Sequence, residues 1–142
     1  MGWKMLNKYV ETLKEKNLKI TTQRLQILHY LDTSCNHPTV DEIYTTLKKK
    51  NPSLSKTTVY NSVEILKNNS IIQSLTIGSS ETRYDFRHEM HHHFICKKCK
   101  KIIDIEIKCP TQQKKTVQGN RVDEVQGYFI GLCKECLEKD DN

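Results

Sequence analysis

Apolar residues recur at helical spacing through the first half of the chain and at strand spacing through much of the second. Leu6, Tyr9, Val10 and Leu13 share one face of residues 3–16, with Lys and Glu opposite, which predicts an amphipathic helix stopped near Asn17. Thr21 or Thr22 supplies an N-cap for a second helix, whose buried stripe is Leu25, Ile27, Leu28 and Leu31. That helix runs out in Thr33-Ser34-Cys35-Asn36. His37-Pro38 follows, and because proline biases the preceding residue toward an extended backbone, His37 marks a boundary. Thr39 caps a short third helix with Val40, Ile43, Tyr44 and Leu47 inward, ending at Lys48-Lys49-Lys50 and Asn51-Pro52. Ser55 caps a fourth, 56–68, in which Val59, Val63 and Leu66 stand at i, i+4 and i+7 and form one buried face.

The period then changes. Residues 71–77 read as a strand, Gly78-Ser79-Ser80 as a turn and 81–86 as the returning strand. Helices followed by a two-stranded hairpin make a winged helix, in which the last helix enters the major groove and the hairpin flanks it. Residues 91–96 and 101–107 are β-like around a turn at Cys96-Lys97-Lys98-Cys99. A short polar helix is expected over 111–118, a long strand over 121–132, and a frayed tail after Cys136. The fold class is therefore α+β: an N-terminal winged helix over 1–87, with a hinge to about residue 90, and a small α/β domain over 88–142.

Charge sharpens this division. Of the 142 residues, 1–77 hold 11 Lys+Arg against 6 Asp+Glu, a net +5, whereas 78–142 hold 12 against 11, a net +1. A basic first half is the electrostatic footprint of a polyanion binder. The outward face at the start of the fourth helix offers Lys56, Thr57, Thr58, Tyr60 and Asn61, groups of the kinds that reach phosphates and base edges. No apolar run approaches the ~20 residues of a membrane helix, and the opening Met1-Gly2-Trp3-Lys4 is not a signal peptide, so a cytoplasmic chain is expected.

In a reducing compartment six cysteines point to metal ligands or free thiols rather than disulfides. Cys96-x-x-Cys99, 33 intervening residues and Cys133-x-x-Cys136 form a strong zinc signal. Two residues between thiolates let one turn present both sulfurs to one ion, and two such turns close a tetrahedron. An iron–sulfur centre and a redox dithiol pair are the alternatives. Both pairs read as strand-end turns, whereas a dithiol enzyme carries its pair between strand and helix. Cys35 and Cys109 are left over.

His91-His92-His93 leads into the first pair. Strand alternation points His91 and His93 to one face and His92 to the other. Asp104, on the following strand, can reach the face of His91 and His93. Asp85 ends the wing hairpin, and His37 stands at the boundary after the second helix. Nitrogens mixed with carboxylates suit iron(II), manganese(II) or zinc. Spacing alone does not bring His37 to the other four residues.

These segments together resemble the ferric uptake regulator superfamily across nearly the whole chain. The resemblance is carried by Ile20-Thr21-Thr22-Gln23-Arg24, by His37-Pro38-Thr39 with Asp41-Glu42-Ile43-Tyr44, and by Ser55-Lys56-Thr57-Thr58-Val59-Tyr60-Asn61. It continues through His91-His92-His93-Phe94-Ile95-Cys96-Lys97-Lys98-Cys99, Lys101-Ile102-Ile103-Asp104 and Gly131-Leu132-Cys133-Lys134-Glu135-Cys136. It implies a homodimeric, metal-dependent repressor that binds a palindromic operator in double-stranded DNA and dimerises through its C-terminal domain. One structural Zn2+ per chain is implied at Cys96, Cys99, Cys133 and Cys136, and one regulatory Fe2+ or Mn2+ per chain at His37, Asp85, His91, His93 and Asp104.

Asp104, rather than Glu, is similar to the peroxide-sensing branch. There, bound iron(II) and hydrogen peroxide oxidise histidine ligands, at positions matching His37 or His91, and the promoter is released. That is stoichiometric self-oxidation, so no enzyme is expected and peroxide is the only small molecule, as the signal. A sensor of iron or manganese supply with the same fold is the alternative. Residues 111–118 depart from the pattern in being more polar than the family's dimerisation helix. Asp123 and Glu124 are candidate partners for a further site near His92, and Val125 is not a ligand.

Overall fold

Side-chain caps start the second, third and fourth helices, where a Thr or Ser precedes the apolar stripe. The computed structural model describes residues 2–34, 36–76, 81–86, 92–106, 115–122 and 127–140. The chain divides into two compact units, Met1–His88 and Glu89–Asn142.

In the first unit, α1 spans Trp3–Glu15, α2 Thr22–Ser34, α3 Val40–Lys50 and α4 Lys56–Asn68. Thr21 Oγ1 accepts the Arg24 N–H at the start of α2. Thr39 and Glu42 form a reciprocal capping box at α3: the Thr39 hydroxyl accepts from Glu42 N–H, and the Glu42 carboxylate accepts from Thr39 N–H at 2.8 Å. Ser55 Oγ accepts from Thr58 N–H at α4. α1 and α4 close alike. Asn17 N–H and Leu18 N–H bond the carbonyls of Lys14 and Leu13, as Ser70 N–H and Ile71 N–H bond those of Lys67 and Leu66. Asn17 and Ser70 accordingly take left-handed φ values of 54° and 57°.

The hairpin pairs β1, Gln73–Leu75, antiparallel with β2, Arg83–Asp85. It is shorter than expected because Ile71 N–H closes α4, so Ile71 and Ile72 serve the helix core instead of the ladder. The core of this unit includes Tyr9, Leu13, Ile27, Leu28, Ile43, Val59, Leu66, Ile71 and Ile72, each buried to 2 % exposure or less. A buried side chain of this kind contributes roughly 1.5–3 kcal/mol. Three helices, α4 last, with a hairpin after it constitute a winged helix. A single bridge between Thr39 and Arg83 attaches β2 to the segment before α3.

In the second unit, β3, His92–Cys96, is the centre of a three-stranded sheet. β4, Ile102–Ile105, lies antiparallel on one side, and a parallel strand lies on the other. Between β4 and that parallel strand come β5, Thr116–Val117, and β6, Asn120–Arg121, a hairpin with a two-residue turn. The parallel strand is β7, Tyr128–Gly131, and α5, Lys134–Asp140, follows it.

Three expectations are corrected here. Residues 115–118 are not helical: Gln118 and Gly119 both have positive φ, 49° and 80°, as a hairpin turn of the twist-matching kind requires. Residues 121–132 are not one strand, because β6 ends at Arg121 and β7 begins at Tyr128. The tail is not frayed up to Asp140; Lys98 pairs with Asp140, and Lys101 Nζ lies 3.3 Å from Glu135, so α5 is tied to the turn between β3 and β4. Residues 111–114 and 123–126, with Asp123 and Glu124, lie outside the described residues, as do Cys35, Cys109, His91 and the turn at 78–80.

Candidate functional site

The four cysteines converge at one end of the sheet. Cys96 ends β3, where its N–H bonds Lys101 O and its carbonyl accepts from Lys100 N–H, each at 3.0 Å. The residues between form the turn that carries Cys99. Cys133 and Cys136 come from the start of α5, where Leu137 N–H bonds Cys133 O at 2.9 Å. The second pair therefore stands between strand and helix. That is where a dithiol enzyme carries its pair, so position does not separate the two chemistries, whereas the sulfur distances do.

That geometry favours a metal. All four sulfurs lie within 4.8 Å of one another, and Cys99 Sγ is 3.8 Å from Cys133 Sγ. A tetrahedron with Zn–S bonds of ~2.3 Å has edges of about 3.8 Å, whereas a disulfide needs ~2.05 Å. Cys133 N–H points at Cys96 Sγ, 3.4 Å away. That bond, then one from the Cys99 backbone, pulls the Cys96 thiol below its ordinary range. Cys136 is pushed the other way, first by its contact with Cys133 and then by burial. Thiols packed this closely cannot all ionise without a cation among them, so the donor set fits a closed thiolate site. Cys96 is buried and Cys99 is exposed.

The imidazoles and carboxylates form a pair in each unit. In the second, His93 faces Asp104 across the β3–β4 ladder, and direct cross-strand partners share a face. His93 Nε2 is 3.4 Å from Asp104 Oδ1, with the histidine at 5 % side-chain exposure and the aspartate at 16 %. Tyr128, opposite His93 on β7, places its ring 6.4 Å from the imidazole. His92 points to the other sheet face, against Phe129.

In the first unit, His37 Nε2 lies 3.7 Å from Asp85 Oδ2, and both side chains are buried. β2 brings them together. Tyr84 N–H bonds Pro38 O at 3.0 Å, and Arg83 Nη1 donates to His37 O at 3.0 Å. The extended backbone expected of His37 is not observed: its φ is 49°. Histidine enters the left-handed region more readily than most residues, and the Arg83 bond to its carbonyl holds it there.

On α4, Thr57 and Asn61 are exposed, while Thr58 is half-buried and its hydroxyl sits 2.7 Å from that of Ser55 in the cap. Lys56 and Tyr60, one turn apart, both reach Asp41 of α3. Lys56 Nζ is 2.9 Å from Asp41 Oδ1, and Tyr60 OH donates to the same oxygen at 3.1 Å. Sequence reasoning missed Asp41. It reads only as an acid in the first turn of α3, and nothing local shows which helix it meets.

A winged helix followed by a sheet unit with four clustered thiolates defines a metal-binding, DNA-binding type of regulator. Residues 15–128 match the ferric uptake regulator family, and the chain belongs to that family of metal-responsive regulators. It is 37% identical over 140 residues to the peroxide operon regulator of Bacillus subtilis, covering 96% of this chain and 97% of that protein. It is 36% identical over 137 residues to the peroxide-responsive repressor PerR of Staphylococcus epidermidis, covering 94% and 91%. Among solved structures, the peroxide stress regulator of Campylobacter jejuni is similar at 27% identity and a TM-score of 0.71, covering 96% of this chain and 100% of that one. No helix among the described residues is long and apolar enough to cross a membrane.

Proposed function

We propose that this chain is a cytoplasmic, homodimeric transcriptional repressor that responds to peroxide through a regulatory iron(II). The observation that carries the reading is the pair of imidazole–carboxylate couples, His37 with Asp85 and His93 with Asp104, in which His37, Asp85 and His93 are buried and Asp104 is half-buried. Buried titratable groups on rigid backbone are unusual outside functional sites. The names of the relatives from Bacillus subtilis and Staphylococcus epidermidis support peroxide as the signal. The two couples, with His91, hold one iron(II) or manganese(II), and the four thiolates hold one zinc. Bound there, iron(II) would supply the redox chemistry by which one oxygen atom of peroxide passes to a histidine ring and the other leaves as water; manganese(II) would not.

The chain's own residues do the rest. Lys56 and its neighbours on α4 contact the duplex, with phosphate contacts setting affinity and Tyr60 reading base edges in a palindromic operator. Both units contribute ligands to one ion, so metal affinity and DNA affinity change by the same factor. His37 and His91 are the residues oxidised, after which that coupling is lost.

The test is to load the protein with iron(II) or manganese(II), add hydrogen peroxide, and follow DNA binding and the mass of the His37 and His91 peptides. One added oxygen on either peptide, with loss of DNA binding in the iron form alone, is expected. Unmodified histidines and surviving DNA binding in the iron form would leave a sensor of metal supply instead.

A further inference from the structure

One carboxylate oxygen collects the two side chains of α4 best placed to meet DNA. Asp41 Oδ1 is 2.9 Å from Lys56 Nζ and 3.1 Å from Tyr60 OH, and Lys56 Nζ also stands 5.8 Å from the centre of the Tyr60 ring. The three groups are all at the surface, with Asp41 and Lys56 side chains each 56 % exposed. Asp41 is itself held on α3 by that helix's capping box, whose Glu42 is the next residue. The bonds from Lys56, and then from Tyr60, keep the Asp41 carboxyl below its ordinary range, so it stays anionic.

We infer that Asp41 is the specificity-determining residue of the α4 surface: it competes with phosphate for Lys56 and orders Tyr60 for base reading. This rests on the reading of α4 as the DNA-contacting helix. A duplex that offers only phosphates exchanges one anion for another at Lys56 and leaves Asp41 uncompensated. An operator offers base edges as well, and Tyr60 is already ordered to meet them. Asp41 thus penalises phosphate-only binding more than operator binding. Exposed ion pairs of this kind are worth up to about fivefold in affinity. The exchange also has a salt signature. Each phosphate newly neutralised steepens the fall of log K with log salt by ~0.9, and in the native chain cation uptake at the vacated Asp41 offsets the release at Lys56.

The experiment uses the zinc-containing, manganese(II)-loaded protein. Its ligands are a random-sequence duplex pool and the duplex enriched from that pool by selection on the same protein. For Asp41→Ala, affinity for the random duplex should rise about two- to fivefold, and the salt slope should steepen by up to ~0.9. Affinity for the enriched duplex should rise less or fall, so the ratio between the two drops. Tyr60→Phe should lower that ratio without steepening the slope. The gain from Asp41→Ala should vanish in a Lys56→Met background. A gain that persists there is a general charge effect and overturns the proposal, as does an equal loss on both duplexes, which marks a structural role. If Asp41→Ala binds like the native chain while Lys56→Met weakens the Asp41→Ala protein, the proposal fails and the DNA-contacting helix stands. If Lys56→Met and Tyr60→Phe change nothing in any background, the reading of α4 fails as well.

Discussion

Cys99→Ser separates metal ligation from packing more cleanly than any other change at the thiolate cluster. Cys96, Cys133 and Cys136 are buried, but Cys99 is exposed, so a serine there removes a ligand and leaves no cavity. Among the described residues, the buried cluster of the second unit consists of Cys96, Cys133 and Cys136, with Phe94 and Ile103 packed against it. Among the described residues the first unit has a buried core of fifteen, from Tyr9 to Phe86. Structural zinc in small domains contributes an apparent ~10–16 kcal/mol, against about 5–15 kcal/mol for the whole stability of a typical domain. Losing a ligand therefore removes the second unit's main source of stability and leaves the first unit's core untouched. The assay is hydrogen exchange with zinc analysis on the same samples. In Cys99→Ser, zinc should be lost and amides of β3, β4 and β7 should exchange quickly, while those of α2 and α4 keep their protection. Zinc-free Cys99→Ser with β3 and β4 protected as in the native chain would refute the reasoning. Loss of protection in α2 and α4 would refute the independence of the first core.

Three other outcomes follow from local geometry. Ser70 closes α4 at a φ of 57°, where a side chain is strained, so Ser70→Gly should raise the unfolding free energy by about 0.5–1 kcal/mol, read as a higher urea midpoint with no change in m-value; a lower midpoint would refute the cap. Burial, then the bond to Asp32, raises the Tyr9 phenol above its ordinary 10.0. The unfolded chain thus ionises first, and the Tyr9 contribution is complete below pH ~10 and lost as pH climbs from there toward the folded value. The stability difference between the native chain and Tyr9→Phe should therefore shrink above pH ~10, and a constant difference would count against it. A Cβ on Gly127 would sit 2.1 Å from His92 Nδ1, so Gly127→Ala must displace a buried ring at a cost of about 1–3 kcal/mol; denaturation should show this with zinc content unchanged, and native stability would show that the ring moves freely.

The helices were legible because their signals are local. An apolar stripe, a Ser or Thr before it and a polar stop lie within one window, and α4 runs from Lys56 to Asn68 as its spacing predicts. The short elements were not. α5 has no apolar stripe of its own; it is ordered by Cys133, Cys136 and its ion pairs to Lys98 and Lys101, which are far away in sequence. The β5–β6 hairpin depends on two successive positive φ values, and a Gln before Gly119 is a weak advertisement of the first. In the thiolate cluster, each Cys-x-x-Cys pair was readable from spacing, but the helix under the second pair was hidden. The facing of His93 and Asp104 needs only strand alternation and a turn of known place. The nearness of His37 to Asp85 needs the Arg83 bridge, which no pattern announces.

That bridge also explains why a histidine occupies so restrictive a position. Proline after His37 disfavours helical backbone, and a left-handed φ at a residue with a Cβ costs roughly 1–2 kcal/mol. The conformation persists because its neighbours over-determine it. Arg83 binds the His37 carbonyl, Tyr84 binds that of Pro38, and the capping box locks Thr39 to the start of α3. Strain held this firmly is usually found where a side chain must point in one direction. The direction here puts the imidazole beside Asp85, so the fold of the winged helix brings this couple together. The same capping box fixes Asp41 opposite Lys56 and Tyr60. One tightly bonded segment, His37 to Glu42, thus carries at one end a residue suited to a metal and at the other the residue that sets the α4 surface. That segment joins His37 to the groups proposed to meet DNA.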